Sequence, residues 1–170
     1  QSKFPVAVDM TSEVSSLSGK SVISVAAGAS HSVALCSDGS VSAWGYNFNG
    51  ELGDGTDMDS WVPVAVDATP GVSALAGKSV TAIAAGEAHT LALCSDGTIA
   101  AWGWNGEGQL GDYSSANSEV PAPVSRASGS AFEGKTAVAI AAGIGHSLAL
   151  CSDGTVLAWG DNTYGQLGTN

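Results

Sequence analysis

Three copies of one pattern fill most of the chain, and that repetition limits the possible folds more than any local propensity does. The first copy reads VAAGASHSVALCSDGSVSAWGYNFNGELGDG over 25–55. The second, IAAGEAHTLALCSDGTIAAWGWNGEGQLGD, covers 83–112, and the third, IAAGIGHSLALCSDGTVLAWGDNTYGQLGTN, covers 140–170. His31, His89 and His146 set a period of 58 and then 57 residues. Cys36, Cys94 and Cys151 keep the same period, as do Trp44, Trp102 and Trp159. A proline block precedes each copy: FPVAV from Phe4, VPVAV from Val62 and APVSR from Ala122. Tandem units of this kind bury their apolar faces chiefly against their neighbours.

Each unit reads as four short strands. VISVAAG, SVTAIAAG and AVAIAAG are apolar runs ending in glycine, the pattern of a strand buried on both faces. HSVALC and its copies run into Ser-Asp-Gly, a tight-turn signal, and SVSAWG and its copies form the return strand of a hairpin. The proline block is the fourth strand, placed at a sheet edge because proline cannot donate to a ladder. SEVSSL and GVSALA each suit a single helical turn, and nothing carries a longer helical stripe. The class is all-β, and four-stranded antiparallel units in tandem make β-propeller blades, three in this chain. The units run over about 4–61, 62–121 and 122–170 of a single repeat domain.

The pattern AAG-x-x-H-[ST]-x-ALCSDG-[ST]-x-x-AWG-x-N-x-x-G-[EQ]-LG resembles the regulator-of-chromosome-condensation repeat. That resemblance covers nearly the whole chain and implies a propeller, usually of seven blades. It also brings two activities into view: guanine-nucleotide exchange on a small GTPase, and inhibition of an enzyme by a propeller that plugs its cleft. No residue-by-residue match for the exchange activity is present.

Positions identical in all three units are expected to serve the blade. Gly28, Gly86 and Gly143 end a strand where the backbone must turn or approach closely. Trp44, Trp102 and Trp159 are sized to fill the wedge between blades, with each indole N–H needing a partner. His31, His89 and His146 sit on successive blades, about one sheet spacing of ~10 Å apart. Zinc needs its ligands at about 2 Å, so the three cannot share a metal, and a buried imidazole bonded to loop carbonyls is the expected role. The same spacing separates the cysteines too widely for a disulfide and leaves buried free thiols. Gly129, Gly134, Lys135 and Thr136 satisfy the phosphate-loop pattern, but a strand follows where that loop needs a helix. Asp54, Asp57 and Asp59 either form a solvated acidic loop or hold a weak calcium ion; they lack the ordered spacing of a dedicated calcium loop.

Positions that vary between units are free for function. After each AWG these include Tyr46, Phe48 and Asn49, then Trp104 and Glu107, then Asp161 and Tyr164. Aromatic groups beside acids suit a protein-binding surface, or else they pack on a neighbouring loop. No catalytic constellation and no cofactor site stands out, so the chain reads as a non-catalytic scaffold. Sixteen acids against five bases (Lys3, Lys20, Lys78, Arg126 and Lys135) speak against nucleic acid as a partner. No apolar run is long enough for a membrane helix. No leader of basic then apolar residues opens the chain, and Gln1 in place of methionine reads as a processed or trimmed start. Low lysine content and Ser/Gly/Ala-rich repeats resemble large secreted bacterial proteins.

Strand accounting supplies the last expectation. VPVAV edges the first blade and APVSR the second, which leaves the third without a fourth strand. Phe4, Pro5, Val6, Ala7 and Val8 edge no blade of their own chain. Docking that strand beside Thr155, Val156, Leu157, Ala158 and Trp159 of a second copy closes a homodimeric ring of six blades.

Overall fold

The computed structural model describes residues 2–11 and 14–169. Eleven strands form three antiparallel sheets, with no α-helix among the described residues. Blade one is β1 (Val22–Ala27), β2 (His31–Cys36), β3 (Val41–Gly45) and β4 (Ser60–Ala65), hydrogen-bonded in that order. Blade two repeats it with β5 (Val80–Ala85), β6 (His89–Cys94), β7 (Ile99–Gly103) and β8 (Ser118–Pro123). Blade three has three strands, β9 (Ala137–Ala142), β10 (His146–Cys151) and β11 (Val156–Gly160). The proline block thus supplies the outer strand of the blade that precedes it.

The hairpin between the second and third strands follows from Asp-Gly. Gly39 adopts φ 80°, Gly97 75° and Gly154 85°, a region that suits glycine. The Asp38 carboxylate accepts the Ser40 amide at 3.0 Å and closes the turn. Lys20, Lys78 and Lys135 then pair with Asp38, Asp96 and Asp153. The Gly-Lys-[Ser/Thr] segment is therefore a turn-bracing device in every unit.

First strands of neighbouring blades lie side by side and the outer strands fan apart, as in a propeller. The first strands depart from the expected two-sided burial: Ile23 is 61% exposed and Val25 71%. A bulge lies between Val22 and Ser24, and its counterpart between Val80 and Ala82. The bulge turns Ile23 outward, as its counterparts Thr81 and Val138 are. Val25 is open because, among the described residues, no blade of this chain packs on that face of β1, whereas its counterparts Ile83 and Ile140 pack into the layers between blades. The expected helical turn at GVSALA is a single one, with the Ser73 amide donating to the Thr69 carbonyl, while Ser12 and Glu13 of SEVSSL lie outside the described residues.

Two apolar layers hold the arc together. Val33, Leu35 and Val41 of blade one meet Leu75, Cys94 and Trp102. Leu91, Leu93 and Ile99 of blade two meet Phe132, Cys151 and Leu157 in the same arrangement. β6 and β7 are consequently buried along their whole length, whereas β10 alternates between buried and open positions. On the free face of blade one, Leu17 covers Ala34, Cys36 and Trp44.

The third proline block is displaced from the sequence expectation. Ala74 donates to the Pro121 carbonyl as Ser16 does to that of Pro63, so Pro121 is the counterpart of Pro63. The block is VPAPV over 120–124, not the segment from Ala122. Two prolines two residues apart make both phases look alike in sequence.

Candidate functional site

The loops after β3 and β7 are each built around one buried asparagine, whereas the counterpart after β11, Asn162, is exposed and accepts the Leu167 amide at 3.0 Å. Asn47 Nδ2 donates to the carbonyls of Thr56 (2.9 Å) and Met58 (3.0 Å), while its Oδ1 accepts the Leu52 amide. Asn105 makes the matching bonds to Ser114, Ala116 and Leu110. A rigid frame therefore displays the variable residues. The asparagines were visible as invariant letters, but their role depends on chain about ten residues further on.

On that frame Phe48 is 71% exposed and Tyr46 43%, and on the loop after β11 Tyr164 is 92% exposed. The rings of Tyr46 and Phe48 lie tilted, 6.4 Å between centroids. Tyr46 shares a groove of about 270 Å³ with Asp59 and Trp61. Trp61, 95% exposed on β4, belongs with this patch although it lies outside the loops that the sequence pointed to. The signal for it was available, since the same repeat position holds Lys3 and Glu119. Trp104 is half-buried: a Cβ on Gly106 would sit 2.7 Å from its ring. Glu107 is exposed. Asn49 Oδ1 accepts from Asn117 of the next blade's loop at 3.1 Å. Asp161 accepts from the Thr163 amide and hydroxyl, which hold its carboxyl below the usual range.

The invariant residues work between blades. His31 Nε2 lies 3.0 Å from Thr90 Oγ1, and His89 Nε2 3.0 Å from Ser147 Oγ. The partner is thus a hydroxyl of the next blade, not the loop carbonyl expected. Each hydroxyl passes the bond on: Thr90 donates to the Glu51 carbonyl and Ser147 to that of Gln109. Since the hydroxyl proton is committed there, the histidine donates through Nε2, and it is burial that keeps the ring neutral. Burial pushes both imidazoles down to about 4. Trp102 Nε1 and Trp159 Nε1 donate to the same two carbonyls, at 2.9 and 2.8 Å. A Cβ on Gly86 would lie 2.2 Å from His89 Cε1, so the glycine is there to admit the ring; its φ is not in the left-handed region.

The acidic loop is internally occupied. Asp54 accepts from the Thr56 amide and hydroxyl, and Asp59 from the Asn47 amide at 2.8 Å. Among the described residues no cluster of three or more His, Cys, Asp or Glu is placed to hold a metal ion. Lys135, the phosphate-loop match, bonds Asp153 and the Thr155 hydroxyl, and Ala137 then opens a strand. Cys36, Cys94 and Cys151 are free and buried.

Phe4, Pro5, Val6, Ala7 and Val8 are exposed and belong to no strand. Thr155, Ala158 and Trp159 are half-buried, Leu157 is buried and Val156 is 66% exposed. The free edge of β11 lines a groove of about 640 Å³, whose other wall includes Tyr113, Ala131 and Phe132.

Four-stranded sheets that fan outward, joined by a repeated junction of histidine, hydroxyl and carbonyl, define an arc of β-propeller blades. Family models described as the regulator of chromosome condensation (RCC1) repeat match residues 22–51, 80–109 and 137–166, and in a second form 38–93 and 96–150. The chain belongs to this family. It is 37% identical over 147 residues to the RCC1 domain-containing protein RUG3, mitochondrial, of Arabidopsis thaliana, covering 86% of this chain and 31% of that protein. The crystal structure of human WBSCR16 superposes with a TM-score of 0.75 at 27% identity, covering 91% of this chain and 38% of that one. Yeast RCC1 (Prp20), solved with Kap60 bound to it, gives 0.72 at 30% identity, covering 88% and 34%. The chain spans between 14% and 33% of the length of the curated relatives compared.

Proposed function

We propose that the chain is a non-catalytic propeller scaffold that binds another protein through its loop surface and is completed to a six-bladed ring by a second copy. The observation that carries the binding reading is the aromatic patch of Tyr46, Phe48 and Trp61, set beside the Asp59 carboxylate on a rigid frame. Exposed tryptophan and tyrosine side chains that lose little entropy on docking are the usual anchors of protein interfaces. Likeness to yeast RCC1 (Prp20), which was solved with Kap60 bound to it, is in keeping with a protein-binding role. Exchange on a small GTPase and plugging of an enzyme cleft are narrower forms of it, and nucleotide-release and enzyme-inhibition assays separate them. The ring reading rests on the unpaired segment of 4–8 and the open edge of β11.

Affinity capture with the intact chain, read by mass spectrometry, tests the binding surface. A protein retained by the parent and lost with both Tyr46→Ala and Trp61→Ala supports the assignment. Retention unchanged by either substitution contradicts it.

A further inference from the structure

Charge is sorted along the blades. Residues 28–30, 46–59, 86–88, 104–117 and 143–145 join strands at the end opposite the Asp-Gly hairpins, and they hold several acids but neither lysine nor arginine. Four of the five bases stand at the hairpin end. Lys20, Lys78 and Lys135 brace the turns there, and Arg126 reaches the Lys135 carbonyl and lies over the Phe132 ring.

Where blades two and three meet, the acidic end has an apolar centre. The Glu87 amide donates to the Ile144 carbonyl at 3.2 Å and joins the β5–β6 turn to the β9–β10 turn. Trp104 hangs from the first turn, its amide on the Ala88 carbonyl at 2.8 Å, and Asp161 from the second, its amide on the Gly145 carbonyl at 2.9 Å. A Cβ on Gly145 would lie 3.8 Å from Trp104 Cζ3 and 3.4 Å from the Asp161 Cβ, so the indole and Asp161 adjoin at the foot of Ile144. Gly106 lies against the indole, and Glu107 follows it in the loop. Ile144 is 72% exposed, Glu87 and Glu107 are exposed, and Trp104 and Asp161 are half-buried. An aromatic and an aliphatic side chain thus stand among three acids.

Bonds between blades two and three place this patch, so it does not depend on what adjoins either end of the arc. Glu87 stays exposed with blades on both sides of it, because neighbouring blades meet through their strand layers rather than over the loop end. Nor does blade packing dictate these side chains. The same places at the junction of blades one and two hold Ala29, Tyr46 and Asn49 in place of Glu87, Trp104 and Glu107.

Building on the protein-binding reading of the loop surface, we propose that this patch is the subsite for an arginine side chain of the partner. The planar guanidinium stacks on the indole of Trp104, the ring type that holds a cation best. The carboxylates of Glu87, Glu107 and Asp161 supply the counter-charge, and Ile144 takes the aliphatic stem. A chain of net charge −11, with no base on this end of its blades, steers a partner of the opposite sign toward it. The partner is a protein whose contact segment carries arginine among apolar residues.

Calorimetric titration of the full chain with a short synthetic peptide of alternating arginine and leucine tests this, beside the same peptide with lysine or with uncharged citrulline in place of arginine. The arginine peptide should bind saturably, the lysine peptide more weakly and the citrulline peptide not at all. Trp104→Ala should weaken binding about tenfold, and Glu87→Gln about threefold. Glu87 is exposed, so its variant reads the site even where Trp104→Ala unfolds the chain. Glu133→Gln removes the same charge at the hairpin end and should leave the affinity unchanged. Absence of saturable binding, equal binding of the arginine and citrulline peptides, or equal losses from Glu87→Gln and Glu133→Gln would overturn the subsite. A protein captured by the parent chain, lost with Tyr46→Ala and Trp61→Ala but untouched by Trp104→Ala and Glu87→Gln, overturns the subsite and leaves the protein-binding reading standing.

Discussion

Each internal junction between blades depends on one neutral histidine, and this has a consequence in acid. His31 and His89 have folded values near 4 against 6.5 when free, so the unfolded chain binds more protons between those limits. Stability then falls as pH drops from about 6.5 to about 4, by up to ~3 kcal/mol for each histidine. A second loss follows as pH falls from about 3.8 to about 2, where the unfolded chain's Asp96 takes up a proton while the folded one, held down to about 2 by the Thr98 hydroxyl and amide and by Lys78, resists it. Melting temperatures across pH 3–8 should show both phases, and His89→Gln should shrink the first; a profile flat from 6.5 to 4 would refute the junction chemistry. Gly86→Ala drives a methyl group into the His89 ring and should cost about 1–3 kcal/mol, read from the denaturant midpoint at unchanged slope. The glycine and histidine were both legible in the sequence as invariant letters. Their partnership across three residues, and the hydroxyl about 58 residues away, were not, because only the packed blades bring them together.

At the scale of elements, strand number, hairpin turns and tandem blades followed from alternation, Asp-Gly and the period. What escaped was phase: the bulge in each first strand, and the choice between Pro121 and Pro123 in the third block. Both are settled by ladder bonds to another strand rather than by the segment itself. Trp61 escaped for a different reason, since it lies in a strand that otherwise looks structural. The layers between blades bury Cys94 and Cys151 and Leu17 covers Cys36, and burial raises the thiols of Cys94 and Cys151 above their usual value. Native protein should therefore resist thiol reagents while denatured protein reacts three times; fast labelling of any one in the native state would contradict the packing. Lys78→Ala removes only a surface brace of the Asp96 turn and should cost less than about 1 kcal/mol by the same midpoint measurement.

At the scale of the molecule, a three-bladed arc has ends of opposite character. One end carries the exposed segment 4–8, which belongs to no strand, and the other carries a three-stranded blade with an apolar groove beside β11. Exposed strand edges of this kind invite pairing, and closed rings are the way propellers remove them. Six blades fall within the usual 4–8, at about 60° for each. Deleting residues 1–8 should therefore leave monomers or aggregates, seen by size exclusion, while the blade junctions stay intact. The most direct test is the mass of the intact 170-residue chain by multi-angle light scattering. The ring account predicts a species of twice 16.7 kDa that persists on dilution; a stable, soluble particle of 16.7 kDa would contradict it.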